Sequence, residues 1–88
     1  MEFSDEMLKE MSYVKISKYR TKVMKSLEGE VKIPTVIAKD SEIRSNHISK
    51  VLAELKEREL VECINPEVRK GRLYRLTEKG DEIAKNLE

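Results

Sequence analysis

Apolar residues recur at helical spacing in five stretches of this chain, and once the period drops to two. In residues 1–12, Phe3, Met7, Leu8 and Met11 follow helical spacing, with Ser4 and Asp5 suited to capping. The segment reads either as a partner-binding helix or as a frayed end, and residues 13–17 have no clear period. A helix is expected from Lys18 to Glu28, capped by Ser17, with Tyr19, Val23 and Leu27 as its apolar stripe and Met24 beside it. Gly29 stands where a helix end wants positive φ. After a short extended piece at 31–33, Pro34 suits the first position of a helix over 34–39 that buries Ile37 and Ala38. A turn spans 40–44, with Ile43 pointing inward.

The third long helix is expected from Ser45 to about residues 58–59. Ile48, Val51, Leu52 and Leu55 form its i, i+3, i+4, i+7 core face, and Asn46, His47, Ser49, Lys50 and Ala53 lie opposite. Residues 60–64 (Leu-Val-Glu-Cys-Ile) and 73–76 (Leu-Tyr-Arg-Leu) are β-prone runs. They flank residues 65–72, a loop rich in turn formers and basic side chains. Thr77 then caps a closing helix to about Leu87, with Ile83, Ala84 and Leu87 as its apolar edge. The expected fold class is mainly α with one small β-hairpin: a winged helix-turn-helix over residues 17–88, preceded by a separate N-terminal segment at 1–16.

Length narrows the possible functions. A chain of 88 residues buries only about 60–65% of its unfolded surface, which leaves room for one core but no second lobe or enlarged ligand cavity. Charged residues are 40% of the chain and aromatics 5%, and no apolar run approaches the ~20 residues of a membrane span. The acidic N-terminus lacks the apolar stretch of a signal peptide, so a cytoplasmic location without membrane association is expected. The single cysteine, Cys63, excludes an internal disulfide framework and a cysteine-rich zinc site. His47, the only histidine, has no partner ligand at metal-binding spacing. No nucleophile with a base, no phosphate-binding glycine loop and no carboxylate pair with a pocket is visible. Neither an enzyme nor a metal or other cofactor is expected.

The net charge of +1 conceals an asymmetry. Residues 15–25 carry Lys15, Lys18, Arg20, Lys22 and Lys25 without an acid, and residues 67–75 are net +3, while both ends are acidic. One anion-facing surface would produce such a pattern. A helix fits the major groove of duplex DNA and needs short polar side chains near its N-terminus to reach base edges. Ser45, Asn46, His47, Ser49 and Lys50 fit that role, with Arg44 at the helix start placed for a phosphate or a guanine. Arg69, Lys70 and Arg72 in the hairpin loop suit the phosphate backbone or the adjacent minor groove. Taken singly, a polar helix face is also a solvated face and a basic loop is also a charged turn. The reading rests on both occurring in one ordered pattern.

Three stretches resemble archaeal and bacterial ArsR/MarR-type winged-helix transcription regulators. Residues 17–27, from Ser17-Lys18-Tyr19-Arg20 to Leu27, look like the family's first helix. Ile37-Ala38-Lys39 through Asn46-His47-Ile48-Ser49-Lys50 to Leu60-Val61-Glu62 look like its helix-turn-helix. Lys70-Gly71-Arg72-Leu73-Tyr74-Arg75-Leu76-Thr77-Glu78-Lys79-Gly80 look like its wing and the start of the closing helix. The resemblance covers roughly residues 17–85 and implies a transcription regulator that binds double-stranded DNA. Homodimerisation on a pseudo-palindromic site is a further expectation, although the terminal helices here are shorter than those through which longer MarR members dimerise. Two positions depart from the pattern: Glu42 and Glu59 stand where the family usually has glycine, so the backbone there either adapts or is strained. One cysteine and one histidine do not reproduce the ligand sets of the metal-sensing ArsR members. Two alternatives stay open on the residues alone: a winged-helix module that binds protein in a transcription or assembly complex, and a thiol-responsive regulator using Cys63 across a dimer.

Overall fold

In the computed structural model, residues 4–87 are described. Phe3, which belongs to the first apolar pattern, lies outside them. Helix α1 (Asp5–Lys15) starts at Ser4, whose hydroxyl accepts the Met7 N–H at 3.2 Å, with Asp5 and Glu6 favourably placed in the first turn. It runs past residue 12 because Val14 is completely buried in the common core. Helix α2 (Lys18–Ser26) is capped by Ser17, whose hydroxyl accepts the Arg20 N–H. It stops short of Glu28; Gly29 takes φ 72° and turns the chain.

The helix-turn-helix consists of α3 (Pro34–Ser41) and α4 (Ser45–Glu57). Ile37 and Ala38 are buried from α3, Ile43 from the turn, and Ile48, Val51, Leu52 and Leu55 from α4. Both helices end in the same way. Glu42 (φ 58°) and Glu59 (φ 61°) are left-handed, and the residue after each donates its N–H five residues back: Ile43 to Ala38 at 2.9 Å and Leu60 to Leu55 at 2.9 Å. This termination needs a left-handed residue and normally takes glycine. The backbone therefore does not adapt to the glutamates; it keeps the turn and accepts the strain.

Strands β1 (Val61–Cys63) and β2 (Tyr74–Leu76) pair antiparallel in the register Val61↔Leu76, Glu62↔Arg75, Cys63↔Tyr74. They are shorter than the apolar runs that predict them. Lys32 adds a bridge on the other side of β2, exchanging two backbone hydrogen bonds with Tyr74 at 3.0 and 2.8 Å. Tyr74 thus joins the hairpin to the segment between α2 and α3. Helix α5 (Glu78–Ala84) is capped by Thr77, whose hydroxyl accepts from the Gly80 N–H and donates to the Glu59 carbonyl. Gly80 lies so close to Leu60 that a Cβ on it would stand 1.9 Å from the Leu60 carbonyl oxygen. Ile83, Ala84 and Leu87 complete a core to which all five helices contribute.

Tyr19 departs from expectation. It belongs by spacing to the apolar stripe of α2, yet it is 43% exposed while Val23 and Leu27 are buried. Tyr13 is held instead by two guanidinium groups, with Arg20 at 3.7 Å and Arg58 at 4.0 Å from its ring centroid.

Candidate nucleic-acid interface

The amphipathic pattern of α4 leaves Ser45, Asn46, His47, Ser49 and Lys50 exposed, with Arg44 exposed as the N-cap residue. Burial of Ile48, Val51, Leu52 and Leu55 on the opposite side fixes the rotation of the helix about its axis, and so fixes which side chains face outward. The Arg44 side chain makes no capping hydrogen bond at the N-terminus of α4. The positive end of its dipole therefore lies beside these polar side chains, with the His47 N–H turned back to the Arg44 carbonyl at 2.9 Å.

The wing is built around Asn65. Its Oδ1 accepts the Leu73 N–H at 2.7 Å and the Cys63 thiol at 3.6 Å, and its Nδ2 donates to the Gly71 carbonyl at 3.2 Å. One amide thus closes the loop across its base. Gly71 takes φ 73°, which an L side chain resists. Arg69, Lys70 and Arg72 are exposed around it. Arg72 is also part of the loop's own framework, since its Nε donates to the Val68 carbonyl at 2.6 Å. Among the described residues Arg69 and Lys70 form no ion pair, whereas Arg75 is paired across the strands with Glu62 at 2.8 Å.

Helix and wing meet at a groove. Ser49, Ala53 and Lys56 line it from α4, Arg72 and Tyr74 from the hairpin, and Pro34 closes it. Polar atoms of the helix and a wing cation are therefore on one continuous surface.

The basic run at 15–25 does not form a single face. Arg20 is engaged internally, donating to the Tyr13 carbonyl at 2.7 Å and pairing with Glu54 at 3.3 Å. Lys15, Lys18 and Lys22 line a different groove with Thr21 and Leu87. One further contact has no signature in the sequence. Tyr19 lies against His47, with ring centroids 5.5 Å apart and planes tilted by 48°; nothing in the chain signals a pair 28 residues apart. The role of Asn65 was partly visible, because Asn65-Pro66 is a turn-forming dipeptide. Cys63 is a free, half-buried thiol inside the hairpin. Among the described residues no cluster of histidine, cysteine and acidic side chains could hold a metal ion, and no helix is long and apolar enough to cross a membrane.

No family model and no curated protein matches the chain by sequence. Solved structures do match it. A MarR family transcriptional regulator from Silicibacter pomeroyi superposes with a TM-score of 0.70 over 92% of this chain and 60% of that one, at 16% identity. The fold is that of a MarR-type winged helix. A double mutant of ZitR from Lactococcus lactis is similar over 74% of this chain and 47% of its own, with TM-score 0.62 and 26% identity. The apo form of that mutant matches over 92% and 64%, with TM-score 0.64 and 24% identity. The chain thus spans about half to two thirds of the length of these neighbours. The elements of this chain run in the order α1, α2, the helix-turn-helix α3–α4, the hairpin wing and the closing helix α5.

Proposed function

We propose that this chain is a transcription regulator that binds duplex DNA sequence-specifically, with α4 in the major groove and residues 65–72 on the backbone or in the adjacent minor groove. The observation that carries this reading is the shared groove between α4 and the hairpin, which puts Ser49 and Lys56 on the same surface as Arg72. A duplex can then engage the helix and the wing together. Asn46 suits an adenine edge and Lys50 a guanine or a phosphate. Arg44 at the open helix start suits a phosphate, and Ser45, His47 and Ser49 supply further short polar contacts. Arg69, Lys70 and Arg72 supply charge without sequence preference. The solved neighbours include a transcriptional regulator with the same fold, which supports the reading.

Residues 17–88 form the DNA-binding unit in this proposal, and no cofactor takes part. Two copies acting as a homodimer would set their recognition helices roughly 34 Å apart along one face of the duplex.

The test is a fluorescence-anisotropy titration of a mixed-sequence duplex at about 50 and about 200 mM salt. Several phosphate contacts should weaken binding steeply across that range, with a log–log slope of about −0.9 per phosphate neutralised. Replacing Arg69 and Lys70 with alanine should flatten the slope by up to about 2. Absence of binding at the lower salt would replace this reading with the protein-binding one.

A further inference from the structure

We propose that Tyr19, which lies on α2 outside the helix-turn-helix, is a positioning residue for base reading: it holds the His47 imidazole in place at the reading end of α4. The inference rests on the reading that α4 enters the major groove.

Four observations carry it. The Tyr19 and His47 rings are 5.5 Å apart with a 48° tilt, within the range in which aromatic pairs attract. A tilted contact covers one side of the imidazole and leaves its remaining surface to solvent, and His47 is exposed. Tyr19 is 43% exposed although its helix neighbours Val23 and Met24 are wholly buried, so its ring makes little contribution to the core. The backbone that carries it is firmly held. Ser17, two residues before it, caps the helix, and Arg20 immediately after it is fastened to the Tyr13 carbonyl, the Tyr13 ring and Glu54.

The last of these contacts matters geometrically. Glu54 lies seven residues, two turns, beyond His47 on the same side of α4. The start of α2 therefore meets one row of α4 at two points, Tyr19 on His47 and Arg20 on Glu54. The Arg20–Glu54 pair fixes the two helices relative to each other, and the aromatic pair holds a side chain in the first turn of α4. An exposed side chain held before binding loses less rotamer freedom when it engages a base. The benefit falls on sequence discrimination, since phosphate contacts made by the wing do not pass through His47.

A double-mutant cycle tests this on the full chain. The wild type selects a preferred duplex from a random-sequence pool. Affinities for that duplex and for a mixed-sequence duplex are then measured for wild type, Tyr19→Ala, Tyr19→Phe, His47→Ala and the Tyr19→Ala/His47→Ala pair. Tyr19→Ala is expected to lower the preference for the selected duplex about three- to tenfold. Tyr19→Phe should retain it, because the ring and not the hydroxyl makes the contact. In the His47→Ala background, Tyr19→Ala should have no further effect on the preference. Equal losses from Tyr19→Ala with and without His47 would overturn the proposal while leaving DNA binding in place. Failure of the wild type to bind either duplex would overturn the DNA reading and this inference with it. Thermal unfolding midpoints of the variants identify any that lose structure, in which case the Phe variant and the cycle on His47→Leu decide the outcome.

Discussion

Arg58, the residue that ends α4, donates to the carboxylate of Glu10 on α1 at 2.8 Å. Glu10 is 7% exposed, and its second oxygen accepts from Lys79 on α5 at 3.1 Å. One buried carboxylate thus ties the N-terminal helix to the end of α4 and to the closing helix. Burial of that charge is tolerated because both oxygens are satisfied by cations. Replacing Glu10 with glutamine keeps the shape but removes the charge, and forces an amide NH2 against a cation. We expect a loss of about 1–3 kcal/mol, read as a fall in the urea midpoint at unchanged m-value.

The same contact gives a pH dependence. The hydrogen bond that Lys79 donates to Glu10 raises its ammonium above the ordinary 10.5, opposed by partial burial and assisted by the charges of Glu10, Glu6 and Glu59. A raised folded-state value means that the stabilisation is fully present below the unfolded value and is lost as pH rises through the folded one. The stability difference between wild type and Lys79→Met should therefore be constant near neutrality and shrink above about pH 10.5. A difference that stays constant through that range would disprove the linkage.

Gly80 sits in a helix, where glycine to alanine ordinarily stabilises by up to about 1 kcal/mol. Here the added Cβ would lie 1.9 Å from the Leu60 carbonyl oxygen, which is also the acceptor for the Thr77 N–H. Gly80→Ala should destabilise by about 1–3 kcal/mol or more, because backbone must move and the hairpin must separate from α5. Thermal unfolding gives the sign directly, and a raised midpoint would contradict the close approach.

Glu42 should respond in the opposite direction. Its left-handed conformation (φ 58°) costs an L residue about 1–2 kcal/mol, part of which glycine gives back as extra unfolded-state entropy. Glu42→Gly is expected to stabilise by about 0.5–1 kcal/mol. The corresponding shift in midpoint is several degrees for a domain this size, and a scanning calorimeter resolves it.

Asn65 separates order from charge in the wing. Asn65→Ala removes all three hydrogen bonds at the loop base and leaves every cation in place. If the wing acts as a shaped element, duplex affinity should fall about three- to tenfold with little change in salt slope. An unaltered affinity would mean that the loop contributes only its charge.

Much of the architecture can be read from the chain because it depends on local periodicity. The stripe at Ile48, Val51, Leu52 and Leu55 fixes both the existence of α4 and its outward face, so the polar set from Arg44 to Lys50 is exposed as the pattern requires. Ser17, Pro34 and Thr77 mark helix starts, and Gly29 and Gly71 adopt the positive φ that their positions demand. Each of these signals involves residues within a turn or two of one another.

What the chain alone left undecided involves residues far apart in sequence. Glu42 and Glu59 show no preference for the left-handed region, and only the packing of Ile43 and Leu60 into the core forces them there. Tyr19 follows the apolar period of α2 but is drawn to His47 on another helix. The basic run 15–25 reads as one patch in sequence, yet Arg20 is turned inward to Tyr13 and Glu54 while Lys15, Lys18 and Lys22 line another groove. Periodicity sets which face of an element is apolar. Which distant side chain meets a given position is set by how the helices pack, and a single sequence records that packing only indirectly.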